Sequence, residues 1–160
     1  MGQTIVEKIL SRHTGKEVSA GDLAIVNVDA AMATDATAPF AIKAFREMKG
    51  EKLWNSEKMT FVIDHGAPAP NERIANLHKI IREFATETGS NLYDVGSGIC
   101  HQIMIDEGHV HPGDLVIGAD SHSVTYGAIG AFSTGVGATD LAAIMLTGKT
   151  WLKVPPTIRV

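Results

Sequence analysis

The chain has 160 residues, of which 44% are hydrophobic and 20% charged, enough apolar content for one domain with a buried core, which excludes a disordered tract. Its 14 Lys and Arg against 18 Asp and Glu leave a net charge of −4 with no basic run, which excludes a surface built to grip nucleic-acid phosphates. The single cysteine, Cys100, excludes an internal disulfide framework and any site that needs several thiolates from this chain alone.

Thr4 and Glu7 have the spacing of a capping box, and Ile5, Ile9 and Leu10 then share one face of a short helix that ends at Gly15. Glu7, Lys8 and Arg12 interrupt the apolar core that a signal peptide would need. The longest aliphatic run, Leu141 to Leu146, falls far short of the roughly 18 to 20 residues of a membrane span, so the expected location is cytoplasmic, with no membrane partner. After the turn at Gly21-Asp22, residues 23–28 read as a buried strand. Thr37 opens a second helix, with Pro39 in its first turn and Phe40, Ile42, Phe45 and Met48 as apolar contacts before Gly50. A strand is expected over 59–63. Asn71 caps a helix in which Ile74, Leu77, Ile81 and Phe84 recur at helical spacing before Gly89. Residues 92–95 and 115–119 are further short apolar runs suited to central strands. The small residues of 127–137 allow close backbone approach and lead to a last helix, opened by Thr139 and Asp140 and closed by Gly148. Strands alternating with helices define an α/β fold, a parallel or mixed sheet flanked by helices, whose ligands gather at the carboxyl ends of strands. Residues 155–160 begin what reads as another strand that the chain does not complete, the mark of a truncation.

Three expected strands run into polar clusters: Asp64-His65, Gly96-Ser97-Gly98-Ile99-Cys100-His101 and Asp120-Ser121-His122. Each pair alone fits an Asp capping a turn and a His satisfying a carbonyl. Three together at the ends of strands in one small sheet would put several acid–base groups in one crevice, an active-site pattern. Neither Gly96-x-Gly98 nor Gly135-x-Gly137 completes a dinucleotide loop, since His101 and Asp140 stand where a third glycine is needed. His109-Val110-His111 could offer two imidazoles to a metal but reads more simply as a polar loop. His13 and His78 read as helix-surface residues. Asp120-Ser121-His122 is no hydrolase triad, because adjacent residues cannot align three side chains along one proton path. Cys100 beside His101 reads as a buried inert thiol, on the argument that neighbours on a strand point to opposite sides.

The run from Gly118 to Asp140, GADSHSVTYGAIGAFSTGVGATD, strongly resembles the aconitase superfamily, in particular the large subunits of 3-isopropylmalate dehydratase and homoaconitase. The likeness extends to Asp35-Ala36-Thr37-Ala38-Pro39, Asp64-His65, Gly96 to Gln102 and Gly148-Lys149-Thr150-Trp151, so it covers nearly the whole chain. It implies that residues 1–160 are the N-terminal part of a dehydratase large subunit, with an aconitase-like N-terminal fold. The implied reaction moves water across adjacent carbons of a hydroxy di- or tricarboxylate at a [4Fe–4S] cluster, with 3-isopropylmalate, in leucine biosynthesis, the favoured substrate. Homoaconitate, 2,3-dimethylmalate and citrate are alternatives.

By the same resemblance His65, oriented by Asp64, donates a proton to the departing hydroxyl. Asp120 and His122 surround that oxygen, His101 orients Asp120, and Ser121 contacts a substrate carboxylate. Thr34 stands where relatives often carry a longer polar substrate contact, and Ser123 where many carry Thr. The cluster cysteines, the substrate arginines and the serine that takes the carbon-bound proton lie beyond the matched region, so this chain alone is expected to hold no cluster and to be inactive. A separate small subunit is the expected partner. Two rivals remain: a non-catalytic fragment, and a metal hydrolase using His65, His101, Asp120 and His122 as ligands of one divalent ion.

Overall fold

The computed structural model describes residues 2–158. Helix α1 (Ile5–Thr14) starts on the expected capping box: the Glu7 N–H donates to Thr4 Oγ1 at 3.2 Å and the Thr4 N–H to Glu7 Oε2 at 2.8 Å. Its inner face is Ile9, Leu10 and His13, whereas Ile5, expected on that face, is exposed. Strand β1 (Leu23–Asn27) is not part of the central sheet. It pairs antiparallel with β7 (Lys149–Lys153) in a two-stranded ribbon that buries Ala24 and Val26 and exposes Leu23, Ile25 and Trp151. The expectation of a buried strand is thus corrected to a half-buried one, because only alternate side chains face inward.

The central sheet is wholly parallel, with strand order β4–β3–β2–β5–β6. Its middle strand, β2 (Ala30–Thr34), is buried along its whole length and escaped the sequence reading, since an alanine-rich segment carries no β-branched run. On one side lie β3 (Met59–Val62) and β4 (Asn91–Tyr93), and on the other β5 (Leu115–Gly118) and β6 (Phe132–Gly135). The chain steps outward from β2 to β3 to β4, then crosses back to β5. That reversal makes the carboxyl end of the β2–β5 boundary the topological switch point, where open α/β sheets place their ligands.

One face of the sheet is covered by α2 (Ala38–Glu47), α3 (Glu72–Thr88) and α5 (Ala138–Thr147), packed over Ala31, Ala33, Phe61 and Ile117. Phe45 and Phe61 meet Phe84 edge-on, with ring centroids 5.6 and 5.8 Å apart. The opposite face carries α4 (Cys100–Asp106) and a 3₁₀ segment, Ser121–Ile129, over Met32, Val62 and Val116. Part of the small-residue stretch 127–137 is therefore ordered as this segment and β6. The expected close approach occurs at Gly135, where a Cβ would lie 2.6 Å from the Asp120 carbonyl oxygen. Residues 154–158 form no strand, as Pro155 and Pro156 have no N–H to offer a ladder, and the rest of that expected strand, Arg159 and Val160, lies outside the described residues. Among the described residues no helix is long and apolar enough to cross a membrane.

His13 and His78 are not surface residues. His13 is 8% exposed, with Nδ1 on the Ile9 carbonyl and Nε2 against Asp29, and His78 is 1% exposed, with Nε2 3.3 Å from Asp35 Oδ2. The carboxylate partners, Asp29 and Asp35, lie 16 and 43 residues away in sequence, so helical position alone misplaces both rings.

Candidate active site

Three strand ends and the first turn of α4 meet at the carboxyl edge of the sheet. Asp35, just past β2, is 5% exposed and accepts the backbone N–H groups of Asp64, His65 and Gly66 at 3.2, 2.9 and 2.6 Å. Burial alone would raise its carboxyl pKa, but those donors and His78 outweigh it and hold the group below its ordinary value. The turn after β3 is therefore stapled to the end of β2, and His65 is delivered into the crevice.

His65 Nδ1 lies 2.7 Å from Asp64 Oδ1, and the other Asp64 oxygen accepts the Cys100 N–H at 2.7 Å, capping the start of α4. An ionised carboxylate has no proton to give, so Nδ1 carries the hydrogen and Nε2 is left on the open side. There it lies 3.9 Å from Asp120 Oδ2, with 45% of the His65 side chain exposed. The Asp64 hydrogen bond, opposed by burial and helped by the Asp64, Asp35 and Asp120 charges, raises the pKa of His65.

Asp120 caps the 3₁₀ segment, its Oδ1 accepting the His122 N–H at 2.7 Å, and the same oxygen lies 2.9 Å from His101 Nε2. Here too burial acts upward but the hydrogen bonds prevail, so the carboxyl pKa is lowered. Ser121 is exposed, and its Oγ stands 3.5 Å from His122 Nδ1. That nitrogen is also 3.3 Å from Asp120 Oδ1, so serine and aspartate press on the same ring nitrogen and no Ser–His–Asp relay exists. Beside Asp120 and Ser121 a cavity of about 490 Å³ runs along Thr134 to Gly137.

All six residues expected to gather, Asp64, His65, His101, Asp120, Ser121 and His122, thus share one edge. Thr34, expected as a substrate contact, ends β2 at that edge but is 0% exposed and faces Thr37, so it forms part of the wall. Asp35 and Tyr126 were missed as site residues. Both lie in the family-like runs but without a role: β2, the strand that delivers Asp35, is not legible in the sequence, and Tyr126 lies in a segment with no helical or strand period. Cys100 is buried and its thiol is pushed up to about 12 by burial and then by Asp64, an inert thiol as expected. The reason differs, since Cys100 and His101 open a helix rather than a strand. Three of the four ligands of the metal-hydrolase rival, His101, Asp120 and His122, come together, but His65 groups instead with Asp64 and Cys100, so among the described residues the four do not converge on one ion. Nor do His109 and His111, because His109 Nε2 bonds the Tyr93 hydroxyl at 2.7 Å while His111 faces Asp114.

The parallel sheet thus presents an ion-paired imidazole and a second carboxylate at its switch point, an acid–base pair where open α/β sheets place their ligands. Residues 7–160 match the model of the aconitase family (aconitate hydratase), and the chain belongs to that family. It is 48% identical to 3-isopropylmalate dehydratase large subunit 1 of Methanopyrus kandleri, over 100% of this chain. Identity is 52% to 3-isopropylmalate dehydratase large subunit 1 of Archaeoglobus fulgidus, over 99% of the chain, and 47% to the homoaconitase large subunit of Thermus thermophilus, over 100%. The chain spans 38% of the length of each of these relatives. The [4Fe–4S] cluster implied by the family resemblance does not fit the donor set here, which offers one cysteine, buried and held as the thiol.

Proposed function

We propose that this chain is the N-terminal part of the large subunit of an aconitase-type hydro-lyase acting on a hydroxy di- or tricarboxylate, with 3-isopropylmalate the favoured substrate and leucine biosynthesis, in the cytoplasm, its setting. Homoaconitate is the second reading, supported by the 47% identity to a homoaconitase large subunit. The observation that carries the proposal is His65, half open to the crevice, with Nδ1 anchored 2.7 Å from Asp64 and Nε2 free beside Asp120.

Dehydration breaks a C–O bond, and hydroxide leaves poorly unless a proton reaches it as the bond breaks. Protonated His65 supplies that proton from Nε2, so that water departs, and the neutral ring keeps its Nδ1–H on Asp64. In hydration the same nitrogen takes a proton from water. Asp120, with Oδ1 occupied by two donors, has Oδ2 free to hold the substrate hydroxyl beside His65, and exposed Ser121 offers its O–H to a substrate carboxylate. The base for the carbon-bound proton and the ligands of any cluster lie outside this chain, and a separate small subunit completes the enzyme. The relatives are themselves named large subunits, which supports that partner.

A chimera tests the activity: residues 1–160 replace the matching segment of the Archaeoglobus relative, and hydration–dehydration of 3-isopropylmalate, homoaconitate, 2,3-dimethylmalate and citrate is followed with the small subunit present. Turnover of 3-isopropylmalate above the others is expected. An assembled chimera that turns over none of the four contradicts the hydro-lyase reading.

A further inference from the structure

Tyr126 belongs to the 3₁₀ segment and is completely buried, its ring clustered with Met32, Val62, Cys100, Met104 and Val116. Among the described residues its hydroxyl has one hydrogen-bond partner, His101 Nδ1 at 3.0 Å, and the two rings meet at 62° with centroids 5.6 Å apart. Burial, the largest cause, and the nearby Asp120 and Asp64 charges raise the phenol pKa, so the hydroxyl keeps its proton.

The direction of that hydrogen bond follows from the far side of the imidazole. His101 Nε2 faces Asp120 Oδ1 at 2.9 Å, and an ionised carboxylate only accepts, so the proton sits on Nε2. With the ring neutral, Nδ1 is bare and accepts the Tyr126 O–H, and every polar atom in the row is paired. With the ring charged, Nδ1–H would donate to the Tyr126 oxygen and the phenolic hydrogen would be left buried without an acceptor, which is unfavourable. The hydroxyl therefore selects one state of His101.

We propose that Tyr126 is a positioning residue that holds His101 neutral, with its proton on Nε2 and aimed at Asp120. This assigns different work to two histidines in one crevice. His65, between carboxylates and open to solvent, is the ring that charges and discharges, while His101 stays neutral, occupies Asp120 Oδ1 and leaves Oδ2 toward His65. The link to turnover rests on the hydro-lyase reading, but the state of His101 does not.

The test is ¹⁵N NMR of the 160-residue chain labelled at histidine, near neutral pH. His101 is expected to show a bare Nδ1 and a protonated Nε2. Tyr126→Phe, which keeps the ring and removes the hydroxyl, should convert that pattern to a mixture with Nδ1–H forms, while the amide spectrum reports an intact fold. Incorporation of 3-fluorotyrosine, a stronger donor that leaves the backbone sequence unchanged, should move the Nδ1 resonance away from the bare-nitrogen position. In the complete enzyme, Tyr126→Phe should lower kcat by roughly tenfold with KM unchanged, less than the ~10²-fold or more for loss of an acid–base group itself. A native His101 carrying Nδ1–H, or a Tyr126→Phe spectrum identical to the native one at His101, overturns the proposal. If the spectra change as expected but the complete protein turns over no hydroxy acid, the hydro-lyase reading fails and the hold of Tyr126 on His101 stands.

Discussion

Replacing Asp35 with alanine removes one carboxylate and strands four donors: the backbone N–H groups of Asp64, His65 and Gly66, and Nε2 of His78. A hydrogen bond to a charged acceptor contributes about 1.5–3 kcal/mol net, and an unpaired buried donor costs about 1–3 kcal/mol. The turn at 64–66 is partly exposed and can rehydrate some of its N–H groups, whereas His78 at 1% exposure cannot. The loss should therefore be about 3–5 kcal/mol, the range for breaking a buried charged contact, rather than the sum of four full bonds. At roughly 2–4 °C per kcal/mol for a domain of this size, Tm should fall by roughly 6–20 °C. Asp35→Asn keeps one acceptor oxygen and should lose less. The pH dependence has a definite sign. Because the folded state holds the Asp35 carboxyl below its unfolded value of about 3.9, its contribution is complete above that value and disappears as pH falls through the lower, folded one. Urea unfolding across the acid range should show this loss in the native chain and a shallower one in Asp35→Asn. An Asp35→Ala protein destabilised by less than about 1 kcal/mol would refute the idea that this carboxylate staples the His65 turn to β2.

NMR titration of His65 should give a pKa above the ordinary value near 6.5, and Asp64→Asn, which removes the hydrogen bond and its charge, should bring it down. The stabilisation from charged His65 is complete below the unfolded value and fades as pH rises through the folded one. Gly135→Ala places a methyl group 2.6 Å from the Asp120 carbonyl oxygen and should cost about 1–3 kcal/mol in urea unfolding while shifting the His101 and His122 resonances. Gly127→Ala, with nothing within 4 Å of the new carbon, should leave those resonances in place. Anaerobic reconstitution of the 160-residue chain with iron and sulfide should yield no stoichiometric cluster absorbance, and Cys100 should resist alkylation until the chain is unfolded.

Helices with local start and stop signals were legible: Thr4 and Glu7 for α1, Pro39 for α2, Asn71 and Gly89 for α3, and Gly148 for α5. So was the shared edge of Asp64, His65, Asp120 and His122, because apolar runs of four or five residues ended at those pairs. The central strand was not, since Ala30 to Thr34 owes its conformation to pairing on both sides rather than to its own preference. With it went Asp35, whose partners Gly66 and His78 are 31 and 43 residues away. Tyr126 and the buried histidines were hidden for the same reason: what they do depends on a partner that only the folded sheet brings near.

The proposed hydro-lyase reading stands on His65 delivering the proton to the departing hydroxyl. Under that reading, steady-state kinetics of His65→Ala in the complete protein, compared with the unsubstituted protein, are the test. kcat should fall by roughly 10²-fold or more with little change in KM, because the proton is needed chiefly in the transition state. A His65→Ala enzyme with unchanged kcat contradicts it.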